Sequence, residues 1–220
     1  MAVASISLRR VPALIDDGTG HVSAPPHEII AAGIEPPAEI PTDIFEAGLQ
    51  IFLDRRRLDM RALAGELEIS RATLYRRVGG RDHLLGEVIW YLARRALARA
   101  YEGTEELLGE ERIVTVVERF MRNVHSQPAL ARLLEAEPEA ALRILTSKHG
   151  PIQRGIIDVI ERLMELEEAR GNLRLGIDRA TLAYAIVRIG ESFLYADVIA
   201  DNDPDVDQAV AVIGRLLREG

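Results

Sequence analysis

Cysteine is missing from all 220 residues, and lysine occurs once, as Lys148. Without thiols the chain forms no disulfide and holds no metal through thiolate, and that absence alone leaves the compartment open. The scarcity of lysine leaves arginine as the basic residue. With the abundant alanine, this points to a GC-rich bacterial genome rather than to a mechanism. No apolar run approaches the ~18 residues that a membrane span needs, so no membrane partner is expected. The start, MAVASISLRRVPALIDDGTG, has two arginines but no apolar segment after them, so it does not read as a secretion signal. A cytoplasmic location is the expectation. No segment alternates with a strand period of two, and no internal repeat is evident. The G-x-S-x-G, H-E-x-x-H and P-loop patterns are also absent, which leaves an all-α enzyme without a catalytic constellation. The histidines, His21, His27, His83, His125 and His149, are scattered and share no metal-ligand spacing with carboxylates. The sequence therefore offers no catalytic residue, no cofactor and no metal.

What is present is helical, and long enough for a proper core. The net charge of −8 argues at first against nucleic acid, but its distribution is uneven. Residues 41–101 hold 11 Arg against 8 Asp/Glu, while the remainder hold 16 Lys/Arg against 27 Asp/Glu. A locally basic module on an acidic body is compatible with DNA, because only charges facing phosphate enter the counterion-release term.

The basic module contains the run LDMRALAGELEISRATLYRRVGGRDHLL, residues 58–85. Met60, Leu63, Ala64 and Leu67 form the apolar stripe of one short helix. Ser70 stands at the N-cap of a second, its hydroxyl placed to accept from the next turn's amides. Leu74 and Val78 point inward with Ile69, and Arg71, Thr73, Tyr75, Arg76 and Arg77 are left outside. An exposed face of arginines, a hydroxyl and a tyrosine on a short helix suits a recognition helix in a major groove. Arginine reaches guanine bidentately, and Thr73 with Ala72 suits a base edge or a thymine methyl. Tyr75, Arg77, Arg81 and Arg61 are placed as phosphate contacts, with Ser70 as cap and further phosphate donor. The bland alternative is an ordinary solvated helix face.

The same run resembles the helix-turn-helix of the tetracycline-repressor (TetR) family. Leu63-Ala64, Ile69-Ser70, Leu74-Tyr75 and Arg81 stand where that family has its apolar-Ala pair, its turn, its Leu-Tyr pair and its next basic residue. The resemblance covers roughly residues 42–100, and within the family it is nearest QsdR-like actinobacterial regulators of lactone quorum-signal degradation. Two departures concern the turn. Glu68 replaces the usual glycine, which at positive φ costs about 1 kcal/mol. Val78-Gly79 replaces the aromatic-proline pair.

Proline-rich residues 1–41 read as a flexible arm, with a helical turn near residues 27–32. Arg9 and Arg10 in it suit a minor-groove contact or, more simply, a solvated tail. Residues 42–81 form the helix-turn-helix domain, whose first helix starts at Thr42 and ends in Arg55-Arg56-Arg57, where positive charge suits the helix dipole. Residues 82–220 form a helical ligand-binding and dimerisation body. The helix from Arg81 to about Tyr101 joins the two, and further helices are predicted at 110–125, 128–134, 138–146, 151–170, 178–200 and 205–218. The segments GNLRLGIDRATLAYAIVRIGESFLYAD and DPDVDQAVAVIGRLL also resemble the last two helices of TetR-type regulators. The fold class is all-α, a three-helix head on a larger helical body.

In this family the body commonly encloses an apolar cavity for a small molecule, and the resemblance implies one here. Tyr184, Arg188, Glu191, Ser192 and Tyr195 place polar groups on an otherwise apolar helix. Arg188 and Glu191 either pair with each other or line a pocket with Phe120, Val124 and His125. The opposite stripe, Leu182, Ala185, Ile189 and Phe193, with Val206, Val210, Ile213 and Leu217 on the last helix, suits a symmetric four-helix dimer interface. Together these features point to a homodimeric repressor on a pseudo-palindromic duplex operator. Its release falls to a small, largely apolar effector, such as an acyl chain ending in a lactone or carboxylate. The rival is a helical DNA-binding architectural protein without an effector.

Overall fold

The computed structural model describes residues 35–147, 149–200 and 202–219. Among them lie eleven helices and no strand. The arginine arm and the turn near residues 27–32 fall outside the described residues. Residues 35–40, assigned to that arm from sequence, pack in part: Ile40 is 3% exposed, and Glu35 accepts from Arg94 through its carbonyl. An apolar side chain just before the first helix finds the core whatever the prolines around it do.

Three short helices build the head: α1 (Thr42–Leu53), α2 (Met60–Glu66) and α3 (Arg71–Val78). Each start has a visible cause. Pro41 precedes α1, with Asp43 in its first turn. At α2 the Asp59 carboxylate accepts from the amides of Ala62 at 2.9 Å and Arg61 at 2.7 Å. Those two bonds hold its pKa below the usual carboxylate range. Ser70 Oγ caps α3 by accepting from the Thr73 amide at 3.1 Å. Ile44, Phe45, Leu63, Leu74 and Val78 are each at most 1% exposed and form the head's core.

The long α4 (Arg81–Tyr101) leaves this core and enters the body. It packs on α1 and α3 at one end and on α5 (Gly109–His125), α7 (Pro138–Leu145) and α8 (Pro151–Ala169) beyond. The α4–α8 approach is close because position 155 is glycine: a Cβ there would lie 2.2 Å from the Trp90 ring. Helix α6 (Pro128–Ala136) precedes α7, and both start on proline, whose missing N–H is harmless in a first turn. Helices α9 (Arg179–Leu194), α10 (Ala196–Ala200) and α11 (Val206–Glu219) complete the body, α9 against α8 and α11 against α5 and α9.

The expected single helix over 178–200 is two. Tyr195 leaves helical geometry at φ −112°, ψ 25°, so that its ring is buried between the pieces. The dimer stripe also needs correcting. Leu182, Val206, Ile213 and Leu217 are 1%, 8%, 0% and 2% exposed, packed inside their own chain. Both faces of each amphipathic helix were open to a partner in the sequence. The intrachain core takes the more apolar one, because intramolecular packing costs no association entropy.

Head and body are joined by polar contacts as well as by α4. Arg81 donates to Glu137 at 2.7 Å and, through Nε, to the Leu58 carbonyl at 2.8 Å. Arg57 reaches the same Glu137 oxygen at 3.3 Å, and Arg143 pairs with Asp82 at 2.7 Å. Phe45 of α1 meets Tyr91 of α4 edge to face, with ring centroids 5.3 Å apart.

Candidate DNA-binding face and ligand cavity

The turn between α2 and α3 is a left-handed helix stop. Glu68 has φ +52°, and the Ile69 amide bonds back to the Ala64 carbonyl at 3.0 Å, the six-to-one bond of such caps. The resemblance places glycine here, and the non-glycine keeps the same backbone at a cost. Glu68→Gly is therefore expected to raise stability by about 1 kcal/mol in urea unfolding, with DNA binding unchanged.

Beyond this turn α3 lies with Leu74 and Val78 inward and Arg71, Ala72, Tyr75, Arg76 and Arg77 exposed. Tyr75 is 40% exposed, unusual for an aromatic beside a core leucine. The guanidinium groups of Arg71, Arg76 and Arg77 have no ion-pair partner among the described residues, and Arg61 at the start of α2 is exposed likewise. These four cations with Tyr75 make a basic face around α3, with Asp59 acting on Arg61 from the neighbouring α2 cap. Two sequence assignments change. The Thr73 hydroxyl lies 2.9 Å from Ser70 Oγ and belongs to the cap, leaving its methyl as the part a base can meet. Arg81 is not free for phosphate, because Glu137 and the Leu58 carbonyl hold it at the head–body junction. Nothing in the local pattern announced a partner 56 residues away.

The second feature is an apolar cavity in the body. Its walls include Ile89, Leu92, Ala93 and Ala96 of α4, Phe120, Met121 and Val124 of α5, Ile152, Ile156 and Ile160 of α8, and Ile186 and Val187 of α9. Phe52 of α1 is also in the lining, so a head residue touches the cavity. Glu191, Tyr195, Asn123 and Gln127 are its polar lining residues. Of the sequence candidates, Phe120, Val124, Glu191 and Tyr195 line this space. His125 lines an adjoining cleft with Leu134 and Val198, which shares Val124, Leu130, Leu194 and Tyr195 with the cavity. Tyr184, Arg188 and Ser192 face outward, Tyr184 at 52% exposure, and do not line the cavity. A helix turns 100° per residue, and the spacing that joined 184, 188 and 192 to 191 and 195 spanned two neighbouring faces.

Both sequence alternatives for Arg188 and Glu191 hold in part. The two pair at 2.7 Å, while the Glu191 carboxylate still reaches the cavity and accepts from Gln153 at 2.9 Å and 3.1 Å. Burial raises the Glu191 pKa, against the opposing pull of Gln153 and Arg188. Gln153 and the aliphatic wall of α8 were missed from sequence, because they are indistinguishable there from ordinary core.

Known proteins agree with this geometry. Residues 108–218 match the family model described as the tetracyclin repressor-like C-terminal domain. The structure of the R. erythropolis transcriptional repressor QsdR, from the TetR family, superposes with a TM-score of 0.74 at 30% identity, over 81% of this chain and 96% of that one. The TetR-family regulator PfmR from Thermus thermophilus is more distant, at 22% identity and a TM-score of 0.38 over 81% of this chain and 98% of its own. No curated protein sequence matches. Among the described residues no helix is long and apolar enough to cross a membrane. The helix-turn-helix head, the helical body, the matching family model and the likeness to QsdR make the chain a DNA-binding transcriptional regulator, a member of the TetR family.

Proposed function

We propose that the chain is a dimeric repressor, released from a pseudo-palindromic operator when a small, largely apolar molecule such as an acyl chain or lactone enters the body cavity. The observation that carries this reading is the shape of the cavity. Helix α4 forms one wall and packs on α3 at its other end, and Phe52 of the head lines the space. An occupant that spreads α4 from α8, or displaces Phe52, changes how the head sits. Two half-sites lie about 34–36 Å apart on one face of DNA, so a few ångströms of head movement destroys register. The occupant must favour the displaced state, since equal affinity for both states shifts nothing. That QsdR is named a repressor supports the sign of regulation. Differential scanning fluorimetry against acyl lactones and other chain-bearing metabolites tests the first step. A ligand that binds the folded state raises Tm with concentration, and a flat response across the series argues for a body that serves assembly alone.

Assembly follows from what α9 to α11 leave outside. Tyr184, Ile199 and Val212 are 52%, 57% and 40% exposed, and half-buried Ala185, Ile189, Phe193 and Val210 lie beside them. A two-fold pairing of these faces buries the apolar surface of both copies and sets the separation of the two heads. Tyr184→Arg with Val212→Arg is expected to give a folded monomer in sedimentation velocity at micromolar concentration, against a wild-type dimer. Ile213 is unsuitable for this test, because a charge there disrupts the chain's own core. A wild type that sediments as a monomer contradicts the assignment.

A further inference from the structure

The polar end of the cavity has an unusual combination of groups. Tyr195 is only 6% exposed, lines the cavity, and has no hydrogen-bond partner for its hydroxyl among the described residues. The hydroxyl oxygen is not sealed in, because it is not among the buried atoms without a partner, so a polar atom that enters the cavity, or the adjoining cleft that Tyr195 also lines, can meet it. One helical turn earlier, Glu191 presents a carboxylate that accepts from Gln153 on one side and Arg188 on the other. A carboxylate has about four lone-pair sites, so these bonds leave acceptor capacity. The two groups feel each other: burial first, and then the Glu191 charge, push the Tyr195 pKa up. The hydroxyl therefore keeps its proton and serves as a donor. The remaining lining is apolar apart from the neutral amides of Asn123 and Gln127 and offers no cation to an anion, since Arg188, half exposed, pairs with Glu191 without lining the cavity.

We infer that the cavity selects an apolar chain with a neutral head carrying both a carbonyl-type acceptor and an N–H or O–H donor. The Tyr195 hydroxyl donates to the acceptor, and the Glu191 carboxylate accepts from the donor. This rests on the cavity being the effector site, as proposed above. It narrows the expected chemistry: a free carboxylate head would sit against the Glu191 charge in a low-dielectric space and is rejected, whereas an amide or a hydroxy-carbonyl is accepted. A simple ester or lactone satisfies Tyr195 alone and ranks between them.

The test uses the full chain and three probes that share one tail: octanamide, methyl octanoate and octanoate. Calorimetric titration of the wild type at about pH 7.5 is expected to rank octanamide above methyl octanoate, with octanoate at least roughly tenfold weaker than octanamide. Tyr195→Phe keeps the ring and removes the donor, so binding of octanamide and of the ester should both fall roughly five- to twentyfold, the cost of one unmade hydrogen bond. Glu191→Gln removes the charge at constant size, and octanoate should gain at least roughly fivefold while octanamide loses. Gain for the anion is a change that general loosening of the fold does not produce. If octanoate binds as well as octanamide and neither variant alters the order, the head-group assignment is wrong while the cavity remains an effector site. If none of the three probes binds, and 1-octanol does not bind either, the effector-site reading itself fails and takes this inference with it.

Discussion

Replacing Tyr75 and Arg76 together by alanine is expected to weaken operator binding by roughly 10²- to 10⁴-fold, with Tm almost unmoved. The size follows from about 1–3 kcal/mol for each well-made contact of an arginine or tyrosine with a base edge or phosphate. The small effect on stability follows from their position. Both project from the outer side of α3, while the inner side is held by Leu74 at 0% and Val78 at 1% exposure. The measurement is fluorescence anisotropy on an operator selected from genomic DNA, at about 0.15 M salt, beside circular dichroism melting of the same protein. Affinity within about threefold of wild type would remove α3 from the interface. Salt titration adds a separate check. Arg61→Ala and Arg77→Ala should each reduce the slope of log K against log salt by about one, because a phosphate contact releases about one counterion.

The second large effect concerns the other end of the molecule. Glu167 is 0% exposed and serves four neighbours: the Gly109 amide at 2.8 Å, Arg112 at 3.1 Å, Asn172 at 3.2 Å and Arg170 at 3.6 Å. Arg112, itself 3% exposed, also donates to the Tyr101 and Thr104 hydroxyls and stacks on the Tyr101 ring, 4.7 Å from its centroid. This network ties the end of α4 to the starts of α5 and the loop after α8. Glu167→Ala leaves the Arg112 charge buried and unpaired, which costs roughly 3–5 kcal/mol. For a chain of this length that lowers Tm by roughly 6–20 °C. The double variant Arg112→Met/Glu167→Leu, which removes both charges at similar volume, should recover most of the loss. A Glu167→Ala variant melting within about 2 °C of wild type would show that water reaches Arg112 and that the network is less dry than its burial indicates.

The head was legible in the sequence and the outer body was not, for a physical reason. Ser70, Leu74 and Val78 act within one or two turns of their own backbone, so capping and periodicity locate them without knowledge of the rest of the chain. Even the awkward Glu68 could be placed, since its neighbours bend the chain whether or not the residue suits the turn. Arg81 fails by the same logic: its partner Glu137 lies 56 residues on, and no local rule reaches that far. On α9 the periodicity marks two apolar stripes correctly as apolar. Which stripe the chain buries against itself depends on where α5, α8 and α11 sit. Leu182 and Ile186 went inward; Tyr184 stayed out. Tyr195 shows a third case, where a residue read as helix interior instead ends the helix and brings its hydroxyl to the cavity.

The regulation proposed for this chain comes down to one coupling, between occupation of the cavity and release of DNA. The direct measurement is operator affinity by anisotropy, with the wild-type protein titrated in the absence and in the presence of saturating octanamide at fixed salt. Saturation is predicted to raise the operator Kd at least roughly tenfold, and Tyr195→Phe to need proportionally more octanamide for the same release. An operator Kd unchanged by octanamide, when calorimetry shows the cavity filled, would contradict that coupling.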